Sequence, residues 1–313
     1  MNKQPPKYRY LFGPVPSRRL GRSLGVDPVP FKTCTQNCLY CQLGRDSCPT
    51  LERKVYVPPE QIIAEIQQWL TEGIAADYIT ISGSGEPTLH SQLDKIIEGI
   101  HQCTNIPVAL ITNGSLFWQP DVRKQSALAD VVLPSLDAAD PETFRKINQP
   151  HKDLSFELFL EGLCLFRKEY CGPIWLEVFL CDGINTDSAS ISNLRRLIGQ
   201  INPDKVQINT AVRPTAHPQI KAVPAEILQA IAPQLRNDAE VIADFPKHAD
   251  SEHTLVSEQM ILDTLRRRPC GLEELAASLQ IAPSLAAKHL QHLLKTNLIR
   301  VENRDGKSYF CTN

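Results

Sequence analysis

Three of the chain's ten cysteines fall within eight residues: Cys34, Cys38 and Cys41, spaced CxxxCxxC inside FKTCTQNCLYCQLG (31–44). Thiolates are soft ligands that suit zinc and iron–sulfur clusters. A closed structural zinc site takes four protein ligands, usually from paired knuckles. No second pair follows here, because Cys48 is isolated and His90 and His101 fall in other predicted elements. Three thiolates on a cubane leave one iron without a protein ligand, and an open iron is a place to bind and activate a second molecule. Structural zinc and unliganded core cysteines are the plainer alternatives.

A second group of candidates sits where apolar runs end. SGSGEP (82–87), TNGSL (112–116) and SLDA (135–138) each follow a strand-like run. Glycines there allow close backbone approach because they lack Cβ, and for each residue singly a turn or loop-capping role competes with ligand contact. Glu177 lies inside the apolar run IWLEVFL, so its carboxylate either faces an opening or pairs with a buried cation. Asn209 and Arg213, in INTAVRP, could meet an anionic ligand, with a salt bridge the bland alternative for Arg213. If Glu177 points inward, alternation puts Phe179 and Cys181 on its face, with Cys181 nearest the strand's C-terminal end. A thiol there could take part in chemistry at the strand's open end, or simply close a packed layer. SRRLGR (17–22) could grip a phosphate or a carboxylate, against ordinary surface pairing.

These residues need a scaffold, and the pattern between 74 and 210 describes one. DYITIS (77–82), IPVALIT (106–112), ADVVLPS (129–135), IWLEVFL (174–180) and KVQINT (205–210) read as strands. Helical patterns such as 59–73 and 154–170 separate them; in the first, Ile62, Ile63, Ile66, Trp69 and Leu70 form one stripe. Nearly continuous apolar strands alternating with helices indicate parallel βα units. A strand near SLGVDPV (23–29) brings the count to about six, and AEVIADF (239–245) adds a peripheral seventh. The fold class is α/β, a partial or full βα barrel or a doubly wound open sheet. In either, chemistry collects at the C-terminal ends of the strands.

Residues 251–313 read differently. Helical patterns at about 254–267, 271–279 and 283–295 precede two short strands around Asn303-Arg304-Asp305-Gly306. Three helices and a hairpin resemble a winged helix-turn-helix module, with a boundary in PKHADSEH (246–253). Domains of 1–250 and 251–313 follow. The second holds eight Lys/Arg against seven Asp/Glu, a weak basic signal. Ser284, Lys288, Gln291 and Lys295 share a face of its last helix, suited to a phosphate backbone or to plain solvation. Arg266, Arg267 and Arg268 end a helix, where cations meet its dipole favourably.

Composition narrows the setting. The 313 residues are 42% apolar and 22% charged, with a formal charge of −2, so nothing pulls the whole chain toward nucleic acid or an anionic membrane. No run is long and apolar enough for a membrane helix, and MNKQPPKYRY lacks a signal core. Seven scattered cysteines suggest reduced thiols and a cytoplasmic location.

CxxxCxxC with Tyr40 just before its last cysteine, and SGSGEP after a strand downstream, resembles the radical S-adenosylmethionine (SAM) superfamily. The resemblance implies a partial (β/α)6 barrel. It also implies a 4Fe–4S cluster on Cys34, Cys38 and Cys41, with the fourth iron left for SAM's amino and carboxylate groups. Tyr40 would lie beside the adenine, and Gly83, Ser84, Gly85 and Glu86 would receive the amino group. Asn113, Ser135 and Asp137 would meet the ribose and methionine parts. Glu177, Cys181, Asn209 and Arg213 are then the catalytic candidates. GPVPSRRLGRSLGVDPVPFKTC (13–34), SGSGEPTL, SLDA, EVFL-x-x-GIN and INTAVRP are similar to the subgroup related to the wyosine-forming tRNA-modifying enzymes, across residues 10–245. Those enzymes carry further N-terminal cysteines, whereas none precedes Cys34 here. The expected activity is one-electron cleavage of SAM to a 5′-deoxyadenosyl radical that abstracts hydrogen from RNA, a peptide or a small metabolite. A flavodoxin or ferredoxin would be the reductant. RNA, a peptide or a protein would meet the winged helix, and no membrane is involved. The alternative is an iron–sulfur sensor that regulates through nucleic acid.

Overall fold

The computed structural model describes residues 7–43, 48–213, 215–243, 258–279, 281, 283–304 and 307–313. Its strands are β1 (Leu11–Ser17), β2 (Gly21–Val26), β3 (Tyr78–Ile81), β4 (Val108–Thr112), β5 (Val131–Pro134), β6 (Trp175–Leu180), β7 (Lys205–Thr210) and β8 (Glu240–Val241). From β2 onward they alternate with helices α1 (Pro59–Leu70), α2 (Leu93–Cys103), α3 (Pro120–Ser126), α4 (Pro141–Asn148), α5 (Phe156–Glu169), α6 (Ser188–Ile201) and α7 (Ala225–Leu235).

Strands β2 to β5 are paired in parallel order, as are β6 to β8. Parallel bridges Val132↔Ile174 and Ser135↔Glu177 join β5 to β6, so the two sheets continue one another. The result is an α/β fold with a mainly parallel sheet, consistent with a partial barrel. Strand β1 runs antiparallel to β2 at the edge. Sequence reading missed β1 because Pro14 and Pro16 argue against a strand; proline is tolerated where a strand lies at a sheet edge. Strand β8 covers only Glu240–Val241 of the expected run, whose last two residues, 244–245, lie outside the described residues.

Side-chain alternation sorts the strands into two faces. Leu176, Val178, Val206 and Ile208 turn outward into the main core with Ile62, Ile66, Ile97, Phe166 and Leu194 of the helices. Each such side chain, fully buried, contributes about 1.5–3 kcal/mol. Glu177, Phe179, Gln207 and Asn209 occupy the intervening positions and so face the concave side. Local signals fix the helix starts. Pro59 opens α1, Asp140 accepts from Thr143 N at 2.8 Å to cap α4, and Ser155 accepts from Leu158 N at 3.1 Å to cap α5.

After the parallel sheet come α8 (Glu258–Arg267), α9 (Leu272–Ser278), α10 (Pro283–Lys295) and the antiparallel pair β9 (Ile299–Arg304) and β10 (Lys307–Thr312). Ile261, Leu265, Leu275, Leu290, Leu293 and Ile299 form a core of their own. The expected boundary (246–253), the turn residues Asp305 and Gly306, and the Ser284 side chain lie outside the described residues. This unit is fastened to β1 and to the segment after β7. Arg267 lies over the Phe12 ring at 4.3 Å, Tyr309 Oη donates to Val212 O at 2.6 Å, and Arg304 Nη1 donates to Arg213 O at 2.6 Å.

Candidate active site

The cysteine loop is clamped from two sides. Asn37 N donates to Asn148 O at 3.0 Å and Leu39 N to Ile147 O at 2.9 Å, which ties the loop to the end of α4. Ala216 N donates to Cys41 O at 2.8 Å, which ties it to the segment after β7. Within the loop, Cys41 N closes a turn onto Cys38 O at 3.0 Å. Side-chain amides face the thiols: Asn113 Nδ2 is 3.6 Å from Cys34 Sγ, and Asn148 Nδ2 is 3.5 Å from Cys38 Sγ. Burial pushes the Cys34 thiol up to about 12 and raises Cys38 and Cys41 too. Buried thiols of this kind ionise when a metal supplies the missing positive charge. Among the described residues, no three His, Cys, Asp or Glu side chains are spaced for a single metal ion. Three clamped thiols, two of them met by side-chain amides, fit a thiolate-held cluster.

The 83–86 turn packs directly on this loop. Lys32 N donates to Ser84 O at 2.5 Å, and Glu86 N donates to Thr33 O at 2.8 Å. A Cβ on Gly85 would collide with that Thr33 carbonyl, and Gly83 needs its positive φ of 89°. Glycine therefore serves first to let two loops touch. Ser84 is held by Asp27, which accepts from Ser84 N at 2.8 Å and from its Oγ at 2.7 Å. Glu86 is 2% exposed, and protein donors occupy its carboxylate. Thr88 N (3.0 Å), Thr88 Oγ1 (2.6 Å), Thr112 Oγ1 (2.6 Å) and Asn113 N (2.8 Å) all donate to it. The side chain braces the ends of β3 and β4.

Tyr40 comes next to Asp137, a contact that the sequence reading, which gave the two residues separate roles, did not foresee. The Tyr40 hydroxyl donates to the Asp137 carboxylate, and its ring stacks on Phe179 at 3.9 Å between centroids. Asp137 also accepts from Asn148 Nδ2 at 2.8 Å and Phe179 N at 3.0 Å. Burial nevertheless holds its carboxyl up at about 6, above the ordinary 3.8. Ser135 sits on the β5–β6 bridge opposite Glu177, and Asn113 Nδ2 donates to Thr35 Oγ1 at 2.8 Å.

The catalytic candidates fall into two settings. Cys181, expected at the open end of β6, is fully buried in an apolar layer with Leu39, Phe179, Ala211 and Ile220. Its thiol is pushed up to about 12 by burial, and its N–H donates to Asn185 Oδ1 at 2.7 Å. The chain turns at Asn185 and folds this residue under the rim. Glu177 meets a cation: Arg19 from the β1–β2 turn pairs with it. Asn209 Oδ1 accepts from Arg18 Nη1 at 3.1 Å, and the same nitrogen donates to Ile242 O and Ala243 O at 2.8 and 3.0 Å. Arg213, 4% exposed, pairs with Glu274 of α9. Glu274 also lies 3.5 Å from Arg268.

Sequence reasoning passed over several residues placed here: Asp27, Thr35, Asn148, Asn185 and Glu274. Asn148 was given no role, and Asn185 appeared only as the last residue of the EVFL-x-x-GIN motif. Glu274 sits in a module read as separate.

Comparison with known proteins agrees with this arrangement. The model of the Radical SAM superfamily matches residues 29–190. A UPF0026 protein of Helicobacter pylori is 32% identical over 96% of this chain and 97% of its own length. A protein named GTPase Obg, from Brachyspira hyodysenteriae, is 36% identical over 98% of this chain, which spans only 46% of that protein. Human S-adenosyl-L-methionine-dependent tRNA 4-demethylwyosine synthase is 21% identical over 64% of this chain and 28% of its own length. Among solved structures, a radical SAM methyltransferase from Sphaerobacter thermophilus superposes with a TM-score of 0.53 at 17% identity. That match covers 70% of this chain and 66% of the other and shows the fold. With the family match running from the cysteine loop through β6, the chain belongs to the radical SAM superfamily, which uses a 4Fe–4S cluster and SAM, and within it to the UPF0026 proteins.

Proposed function

We propose that the chain is a radical SAM enzyme, with the cluster on Cys34, Cys38 and Cys41 and SAM held between Tyr40, residues 83–86, Asn113, Ser135 and Asp137. When bound and reduced, the cluster supplies one-electron cleavage of SAM to methionine and a 5′-deoxyadenosyl radical, which abstracts hydrogen from the substrate. The reading rests above all on one observation: Tyr40, within the cysteine loop, hydrogen-bonds Asp137 at the far end of β5. One contact thus ties the metal-ligand candidates to the strand-end candidates. In this arrangement the Tyr40–Phe179 stack and the Asp137 carboxylate orient a nucleoside. The apolar layer around Cys181 keeps water from that side.

A cleft of about 370 Å³ beside the cysteine loop is lined by Asn37, Arg145, His151 and Lys152. Its basic lining suits an acidic reductant such as a flavodoxin or ferredoxin. We assign residues 251–313 as a winged-helix domain appended to a 1–250 core. Lys288, Gln291 and Lys295 on α10 are exposed and offer a face to RNA, a peptide or a protein. No helix among the described residues is long and apolar enough to cross a membrane, and a cytoplasmic setting suits this chemistry. The RNA reading draws on the relative that modifies tRNA.

The test is anaerobic reconstitution followed by SAM and dithionite. 5′-Deoxyadenosine should form, and Cys38→Ala should abolish it together with bound iron. A cluster that assembles but cleaves no SAM under several reductants would overturn the enzyme reading in favour of a sensor.

A further inference from the structure

Three distant stretches of sequence deliver guanidinium groups to one place. Arg18 and Arg19 come from the β1–β2 turn, Arg213 follows β7, and Arg268 follows α8. Arg18 and Arg19 engage Asn209 and Glu177, while Arg213 and Arg268 share Glu274. The two groups feel one another. Burial, then Arg213, then Arg19 and Arg268, drive the Arg18 guanidinium down to about 9, and burial, then Arg268, lowers Arg213. Like charges are crowded here at an energetic cost that packing alone does not require.

Two side chains in this region have polar atoms without a hydrogen-bond partner. Arg268 Nη2 is buried and unpartnered, as is Oε1 of Gln207, a residue 2% exposed on the concave face of β7 beside Asn209. A planar guanidinium with a spare N–H edge is a ready donor to an oxyanion. The site is not sealed, because 14% of the Arg19 and 20% of the Arg268 side-chain surface stays exposed. It also adjoins the proposed reaction site, since Glu177, Arg19's partner, bridges Ser135 and accepts through its carbonyl from Leu136 N at 2.8 Å, one residue before Asp137.

We propose that this arginine cluster is a substrate subsite for a phosphate group, completed across the junction by Arg268 of the C-terminal unit. Several guanidiniums crowded together favour a phosphate dianion over a single carboxylate. The inference deepens the enzyme reading by naming a substrate class, a phosphorylated metabolite or nucleotide with its phosphate held away from the cysteine loop. It also gives the C-terminal unit a part in the reaction site.

The test uses the full 313-residue chain with its cluster reconstituted, without SAM or reductant, titrated calorimetrically with inorganic phosphate and, in parallel, with acetate. Saturable phosphate binding is expected, with acetate much weaker. Arg268→Gln should weaken phosphate binding roughly tenfold, the loss of one charge-assisted hydrogen bond, and Arg268→Lys by less. Iron content should stay at the wild-type value in both. Absence of saturable binding to the wild type, equal binding of acetate, or unchanged affinity in Arg268→Gln would each overturn the proposal. Because neither SAM nor its cleavage enters the measurement, failure of the enzyme reading would show separately in the dithionite assay.

Discussion

The two walls of the concave face are built from different chemistry. The wall around β2 to β5 and the cysteine loop is made of short, mostly neutral groups. Its buried carboxylates, Glu86 and Asp137, are each satisfied by several N–H and O–H donors. The wall around β6 to β8 is made of long charged side chains, with Arg18 and Arg19 reaching in from the hairpin turn and Arg213 tied to Glu274. Hydrogen bonds from fixed backbone hold a pocket in shape whatever the salt, whereas ion pairs with spare donors wait for a partner. On the function proposed above, the first wall would hold the cluster and SAM, and the second would meet a charged part of the substrate.

The sharpest way to break this contrast is to damage each wall and read the metal. Cys41→Ala should lose essentially all cluster absorbance on reconstitution, while Arg19→Gln should keep it. Comparable iron loss in both would erase the distinction. Next in size is the ion pair across the junction. Glu274→Ala leaves Arg213 buried without its carboxylate and should cost about 3–5 kcal/mol in denaturant unfolding, while Arg213→Met with Glu274→Leu should recover most of it.

Asp137 gives a pH test of the first wall. Burial raises its carboxyl from 3.8 to about 6, so the folded state holds the proton more tightly than the unfolded chain. The stability this contributes is full below 3.8 and is lost as pH rises through about 6. Measured against Asp137→Asn, the wild type's relative stability should therefore fall by about 3 kcal/mol between pH 3.5 and pH 7.5. A pH-independent gap would mean that the carboxylate is better solvated than its burial implies. The smallest effect is at Gly85. Adding a methyl there presses on the Thr33 carbonyl and should cost about 1–3 kcal/mol, seen as a lower melting temperature with the cluster wall loosened.

How much was legible in the sequence follows the same division. The first wall's parts are contiguous motifs, so spacing singled out Cys34, Cys38 and Cys41, and the family resemblance they carry pointed on to Tyr40 and Asp137. The roles of Gly85 and Glu86 were less visible. Their partners, Thr33 and Thr112, are distant in sequence, and a motif does not say whether a glycine makes room for a ligand or for another loop. The second wall is assembled from residues as far apart as Arg18, Arg213 and Glu274. Periodicity places each on its own element and is silent on where those elements meet. Glu177 illustrates the limit: its odd position in an apolar strand was plain, but its partner sat in a proline-flanked turn that did not read as part of a strand pair.

The way the sheet's edges meet has one more consequence. Beside β8, Arg18 holds Ile242 and Ala243 through their carbonyls, so hairpin and final strand are joined by side chain to backbone. A seam of that kind behaves like a clasp: it can be undone and refastened without unzipping any strand ladder. Entry to the concave face would then cost only a few hydrogen bonds, and the amides of Ile242 and Ala243 should exchange with solvent sooner than those of β4 or β7.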